Sequence, residues 1–361
     1  MKNILMFGMS SYPGGIENYI KNYFCNDIFS EHFHIDFVTY EGCLAYEKEI
    51  DHVHHSILKV PHLKKNPVGY FKAIKKAMQT TDYDYVYVNM LSCANFLPVL
   101  LASSNKVKNL VLHAHASNTV GALRKIMHRL FKEFCNRHAT LCLACGEQAG
   151  KWLFGDREFT VVPNAIDAGQ FCYSEENRNR IRTQLGITET DLVFGHIGRF
   201  APEKNHGFML EFFGEWLKSH GSKNKLLFVG DGGLRDEIQH RAEQMGLQDH
   251  VIFFGTTDCA WEIYPAFDYF LFPSTFEGFG MSVLEAQACG RKCFVADTLP
   301  RAVNVSGTVC FLPIDNGVSC WMDAISNADN NMTPIEMNQK IKDSEYDIDC
   351  QVKRLVNLLG I

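Results

Sequence analysis

What most constrains the fold of this chain is one alternation, run once from the amino terminus and again from near residue 192. Apolar runs rich in β-branched and aromatic residues at 3–7, 34–38, 53–59, 85–89, 109–112 and 140–144 read as strands. Helical patterns at 16–24, 69–79, 94–102 and 120–136 lie between most of them. Strand and helix in turn predict an α/β fold with a parallel sheet covered on both faces. Pro163 and Asn164 break the pattern, and a charged, polar stretch over 175–184 follows. The alternation then resumes, with strands at 192–197, 225–229, 251–254, 269–272, 292–296 and 309–312 and helices at 206–219, 234–245 and 260–266. At 361 residues the chain is too long for one typical core and suits two of about 150 to 200 each. The expected division is 1–165, 166–343 and a terminal helix in 344–361. That helix starts near Tyr346 and Asp347, presents Ile348, Val352, Leu355, Val356 and Leu359 on one face, and is expected to cross back onto the first domain.

In a parallel sheet, ligands sit at the carboxyl ends of the strands, so the segments after the strands carry the functional argument. The richest is FPSTFEGFGMSVLEAQACG, 272–290, a strand end, a loop and a short helix closed by Gly290. Glu277 lies in the loop and Glu285 on the helix; Gly278 and Gly280 between them let backbone approach a ligand. A helix start with unpaired N–H groups beside two carboxylates suits a sugar joined to a diphosphate. The bland alternative is that Ser282 and Glu285 form a capping box and Glu277 is an ordinary loop acid. GRFAPEK, 198–204, follows the first strand of the second half; Arg199 and Lys204 there could neutralise a diphosphate. Both are read as loop positions whose exchange leaves the fold intact. GDGG, 230–233, is a tight turn at another strand end.

Three such segments fall in the first half. SSYPGGIEN, 10–18, places Gly14 and Gly15 between strand and helix, where their amides could meet a phosphate or a sugar, although turns need glycine too. HAHASN, 113–118, puts two histidines on one face of a strand end; with no third ligand nearby they read as a polar pocket wall rather than a metal site. ACGEQAGKWLFG, 144–155, passes from strand to helix through Gly146. In the helix over 120–136, Val120, Leu123, Met127, Leu130, Phe131 and Phe134 form an apolar face. Arg124, Lys125, His128, Arg129 and Lys132 cover the rest, which fits either an anionic membrane surface or a packed helix with a wet face.

Several classes are set aside. Neither glycine turn is a GxGxxG fingerprint, which argues against hydride transfer. Residues 1–163 carry 18 Lys and Arg against 14 Asp and Glu, and the remainder 17 against 27. That imbalance is too small for a nucleic-acid partner but leaves a basic first half able to face an anionic surface. Thirteen scattered cysteines read as free thiols of a reducing compartment, and the lone Cys142–Cys145 pair lacks the partner pair of a zinc site. No apolar stretch approaches the ~20 residues that span a bilayer, and the apolar start runs into a Gly-Gly turn as a strand would, not a signal peptide.

Taken in order, PGGIEN, HAHASN, ACGEQAGKWLFG, VPNAID, HIGRFAPEKNH, LLFVGDG, VIFFG, the 272–290 stretch and SEYDI resemble the retaining glycosyltransferases of family 4, more narrowly their exopolysaccharide and capsule branch. The resemblance spans nearly the whole chain. It implies the glycosyltransferase-B fold, two Rossmann-like domains facing a central cleft, with an acceptor domain first and a donor domain second. It further implies a hexosyl or N-acetylhexosaminyl transferase that takes a nucleoside diphosphate sugar, expected to be UDP-linked. The acceptor is expected to be a growing, lipid-linked glycan, and the work to be cytoplasmic, peripheral at the inner face of the membrane. By the same resemblance Gly14 and Gly15 lie near the donor phosphates, His115 lines the region of the reacting sugar, and Arg199 and Lys204, after Gly198, bind the diphosphate. Glu277 contacts sugar hydroxyls beside the amides of Phe279, Gly280 and Met281, and Glu285 holds the ribose. Met281 and Ser282 depart from the aliphatic residues more usual there. No metal and no cofactor besides the donor is expected. A sugar-nucleotide 2-epimerase, a phosphorylase and a catalytically silent sugar-nucleotide-binding subunit remain the alternatives.

Overall fold

A computed structural model describes every residue except Pro13, Glu41, Ser222, Asn330 and Asn331. The chain forms two compact units, one of Met1–Ala165 with Ile348–Ile361 and one of Ile166–Asp347.

The first unit is a seven-stranded parallel sheet of β1 (Lys2–Phe7), β2 (Phe33–Thr39), β3 (Ser56–Lys59), β4 (Tyr85–Met90), β5 (Asn109–Ala114), β6 (Leu141–Ala144) and β7 (Thr160–Val161), in the order β3-β2-β1-β4-β5-β6-β7. Alternation along β1 sends Ile4 and Met6 to one face and Leu5 and Phe7 to the other, and each face has its own core. The first core includes Ile348, Val352, Leu355, Val356 and Leu359, all from the helix Ile348–Leu358 and the turn after it.

The second unit is a six-stranded parallel sheet of β8 (Leu192–Ile197), β9 (Asn224–Val229), β10 (Val251–Gly255), β11 (Tyr269–Phe272), β12 (Lys292–Ala296) and β13 (Cys310–Leu312), in the order β10-β9-β8-β11-β12-β13. Its two cores divide by the same alternation, with Val193, Phe270 and Phe272 on one face and Phe194, Leu271 and Phe294 on the other. In both sheets the strand order reverses beside the first strand, between β1 and β4 and between β8 and β11. The crevice at such a reversal is where open α/β sheets bind ligands.

Some elements differ from the sequence reading. The strand expected over 53–59 begins only at Ser56, because the helix Glu47–His52 ends at Val53 and His54 has a positive φ of 58°. The helix expected over 94–102 is a 3₁₀ turn, Cys93–Asn95, followed by the helix Leu97–Ser104, which Pro98 opens in its first turn. The polar stretch over 175–184 is a helix, Glu175–Gln184, capped by Ser174. It is held by ion pairs: Arg178 and Arg182 reach the two oxygens of Asp268 at 2.6 and 3.3 Å.

Candidate active site

In the second unit the β8 and β11 ends bring two loops together. After β8 the chain passes through Gly198 and Arg199 to the 3₁₀ turn Pro202–Lys204; after β11 it forms the Glu277 loop. The Thr275 amide donates to the Glu203 carbonyl at 2.8 Å and ties the loops to each other. Across that tie Lys204 Nζ donates to Glu277 Oε1, with both side chains about five-sixths buried, at 16% and 15% exposure. The same ammonium lies 4.7 Å from the Phe272 ring centre. Lys204 is therefore a nearly buried cation with two partners, so its exchange is expected to cost stability. Arg199 stands in the loop after β8 with its side chain 72% exposed, and among the described residues its one ion pair is with Glu203 at 3.0 Å.

Behind this pair the strand end is neutral and apolar. His196 is wholly buried, its Nδ1–H donates to the Leu271 carbonyl at 2.9 Å, and its Nε2 has no partner among the described residues. Its ring lies under Gly198, where an added Cβ would come within 2.8 Å of Nε2. His206 stacks on Phe200 with ring centres 4.1 Å apart, and burial, aided by the Lys204 charge, holds it down to about 4. Lys204 and Arg199 are thus the cations that an incoming anion would meet here. The GDGG turn presses against the same loop: Gly230 has a φ of 135°, and a Cβ on it would fall 2.1 Å from the Gly198 carbonyl oxygen.

Following Glu277, Gly280 adopts a φ of 99° and turns the chain into the helix Met281–Ala288. Its carbonyl takes the amides of Val283 and Leu284, which leaves those of Met281 and Ser282 as the open first-turn donors. Phe279 stacks on Tyr346, ring centres 4.6 Å apart. The capping-box alternative fails, because Gly280 caps this helix with no side-chain hydrogen bond and Ser282 lies inside it. Glu285 Oε2 instead accepts from the Tyr264 hydroxyl at 2.6 Å. Burial pushes the Glu285 carboxyl up to about 7, against the opposing effect of that hydrogen bond.

In the first unit Gly14 caps the helix Gly15–Phe24; Pro13 of the same motif lies outside the described residues. Glu17, 93% buried, folds back so that Oε1 accepts from the Ser10 amide at 2.9 Å and the Ser10 hydroxyl at 2.8 Å. A Cβ on Gly14 would sit 2.8 Å from its other oxygen, whereas one on Gly15 would meet open space. A carboxylate thus already occupies this helix start. His113 and His115 share a face, ring centres 4.2 Å apart, and each takes a neutral partner from β4: His113 Nδ1 bonds Tyr87 at 2.7 Å and His115 Nε2 bonds Asn89 at 2.8 Å. Asn89 also donates to the Phe7 carbonyl at 3.2 Å, so its oxygen faces His115 and His115 carries its proton on Nε2. Burial holds His115 down to about 3, which keeps it neutral. Among the described residues no group of three His, Cys, Asp or Glu converges on a metal position.

The basic helix runs over Ala122–His138. Its apolar face is divided. Phe131 and Phe134 pack on the first unit's core, but Val120, Leu123, Ile126 and Leu130 are 89, 73, 53 and 67% exposed. Two residues placed on its wet face are not there: His128 is buried and stacked on Trp152 at 4.0 Å, and Lys132 donates to the Trp152 carbonyl at 2.8 Å. No helix among the described residues is long and apolar enough to cross a membrane.

Comparison with known proteins agrees with this architecture. EpsF of Bacillus subtilis (strain 168), named provisionally as a glycosyltransferase, is 29% identical over 363 residues, which cover 96% of this chain and 94% of that one. An Escherichia coli UDP-Gal:alpha-D-GlcNAc-diphosphoundecaprenol alpha-1,3-galactosyltransferase is 25% identical over 69% of this chain and 64% of its own. Among solved structures, Anabaena Alr3699/HepE in complex with UDP superposes over the full length of both chains with a TM-score of 0.79 at 20% identity. WaaG, a glycosyltransferase involved in lipopolysaccharide biosynthesis, covers 99% of both chains with a TM-score of 0.69 at 15% identity. The family model of glycosyl transferases group 1 matches residues 177–306, the span that holds Arg199, Lys204, Glu277 and Glu285. Residues 177–306 thus carry a glycosyl transferases group 1 domain, and with two Rossmann-like halves of the glycosyltransferase-B fold the chain is a glycosyltransferase.

Proposed function

We propose that the chain transfers a sugar from a UDP-linked donor to a growing, lipid-linked exopolysaccharide or capsule glycan, with retention at the anomeric carbon. The observation that carries this reading is the Lys204–Glu277 pair, with Arg199 beside it, at the strand reversal of the second sheet. It puts a cation for a diphosphate next to an acid for sugar hydroxyls. The UDP bound by HepE and the diphosphoundecaprenol acceptor in the name of the Escherichia coli relative support the donor and acceptor classes.

In the proposed reaction the bond from the anomeric carbon to the diphosphate oxygen breaks while the acceptor oxygen bonds to the same face. The acceptor's proton passes to the leaving diphosphate. Arg199 and Lys204 stabilise the charge that develops on that group, so catalysis rests on position and electrostatics and requires no protein nucleophile and no metal. Donor binding draws Lys204 toward phosphate and frees Glu277 for the sugar. Exchange of Gly14, Gly15 and His115 tests the first unit's share.

The test is a panel of sugar nucleotides scored by thermal stabilisation. A true donor at 100 times its dissociation constant adds about 2.7 kcal/mol. Turnover of that donor on a lipid-linked acceptor, with chelator present and the product's anomeric configuration read by NMR, follows. Inversion, dependence on added metal, or product formed without acceptor would each refute part of the proposal.

The exposed row Val120, Leu123, Ile126 and Leu130, flanked by exposed Arg124, Lys125 and Arg129, is the proposed contact with an anionic membrane. Each cation contributes about 1 kcal/mol near such a surface, and each inserted large apolar side chain about 1.5–3 kcal/mol. The protein should sediment with phosphatidylglycerol vesicles but not phosphatidylcholine ones, and Leu123→Ser with Ile126→Ser should abolish it. Unchanged sedimentation would show that this helix is not the contact.

A further inference from the structure

We propose that Tyr264 is a positioning residue for the donor's ribose: its hydroxyl fixes one oxygen of Glu285 so that the remaining lone pairs of the carboxylate meet the 2′ and 3′ hydroxyls. The inference rests on the reading of Glu285 as the ribose-binding acid. Tyr264 is fully buried in a 3₁₀ turn, Tyr264–Ala266, just before β11. Its ring is boxed by Phe171, Phe267 and Phe270, with ring centres 5.7 to 5.8 Å away. That box leaves the phenol one direction, toward the helix Met281–Ala288. There it donates to Glu285 Oε2 at 2.6 Å, and the Ser282 carbonyl lies 3.2 Å off as the weaker choice for its single proton.

No other hydrogen bond to this carboxylate is made among the described residues, and no cation pairs with it. A glutamate has three rotors before its carboxylate, and a diol must meet both oxygens in a fixed plane, so one immobile donor orients the group without consuming the charge. The hydroxyl also favours the ionised carboxylate that a pair of donating hydroxyls needs. The other titratable groups facing the phenol are Cys289, after the same helix, and Cys293 on β12. Burial keeps both as neutral thiols, Cys289 up at about 12. The Glu285 ionisation is therefore the one that sets how ribose recognition varies near neutral pH.

The test compares UDP with 2′-deoxy-UDP by calorimetry on the full chain from pH 6 to 8.5. The wild type should prefer UDP by about tenfold or more, as a site built to bond a hydroxyl rejects its deoxy analogue. The preference should grow as pH rises through the Glu285 ionisation. Tyr264→Phe keeps the ring and the packing. It should cut the preference about fivefold, leave 2′-deoxy-UDP affinity within about twofold, and move the pH midpoint upward. Glu285→Asp keeps the charge but withdraws it one methylene from the phenol, and should lose the preference in the same way. If both variants keep the wild-type preference and midpoint, Tyr264 merely packs and the proposal is overturned. If Glu285→Gln binds UDP as the wild type does, the ribose reading of Glu285 itself falls, which is a different result.

Discussion

Replacing Lys204 by methionine tests the candidate site through stability before any turnover is measured. Methionine fills most of the lysine volume beside Phe272 but leaves Glu277 a carboxylate at 15% exposure without its cation. Removing one partner of a buried pair costs about 3–5 kcal/mol, because the remaining charge stays desolvated. For a unit of this size that lowers its melting temperature by about 6–20 °C. Glu277→Gln should cost somewhat less, since Lys204 keeps its place over the aromatic ring. The double variant pairs two uncharged side chains and should fall within about 2 kcal/mol of wild type, a coupling of about 3 kcal/mol or more. Urea unfolding followed by tryptophan emission reads this out, because Trp216, Trp261 and Trp321 all lie in the second unit. All three variants should lose turnover on the order of 100-fold, so only the stability cycle tells a joined pair from two separate residues. Additive losses, with Lys204→Met costing under about 1 kcal/mol, would refute the buried pair and with it the argument that a ligand must part these two residues.

Other outcomes follow from the same geometry. Arg199→Ala should cost under about 1 kcal/mol of stability, as exposed pairs do, yet on the order of 100-fold in turnover; wild-type turnover at saturating donor would remove it from the site. Glu285 has a folded pKa raised to about 7 from the usual carboxylate range, so its neutral form is the one the fold favours. Its contribution is full below about pH 4 and is lost as pH rises through about 7, by about 3 kcal/mol; Glu285→Gln should flatten that decline, and an unchanged pH profile of unfolding would contradict it. Leu355→Ala should destabilise the first unit by about 2–5 kcal/mol while nucleotide affinity stays within about twofold, measured by urea unfolding and calorimetry on the same variant.

The parallel sheets were legible because the central strands are buried on both faces and read as nearly unbroken apolar runs, as YVYVNM does in β4 and LLFV in β9. Elements held by polar contacts were not. The helix Glu175–Gln184 has almost no apolar stripe, and its ion pairs to Asp268 join residues about 90 positions apart in sequence. The helix Pro334–Lys342 did carry a local signal, the capping box of Thr333 and Glu336 with Pro334 between them, and went unread. At the site, sequence spacing brought out Glu277 and Glu285 but not what holds them. Tyr264 stands 21 positions before Glu285 with nothing local to join them, and the Lys204–Glu277 contact depends on β8 and β11 being neighbours. Glu17 was more accessible, an acid in the first turn of a helix that opens on two glycines.

The helix Ile348–Leu358 has a consequence for the order in which the protein is made. Its apolar residues finish a core whose other members come from the first 165 residues, while the intervening second unit closes on itself between Ile166 and Asp347. On a ribosome adding about 5–20 residues per second, those roughly 180 residues take about 9–36 s to appear. Through that interval the amino-terminal sheet exists with one face lacking Val352 and Leu355. The second unit, begun later, is the first to have every residue it needs.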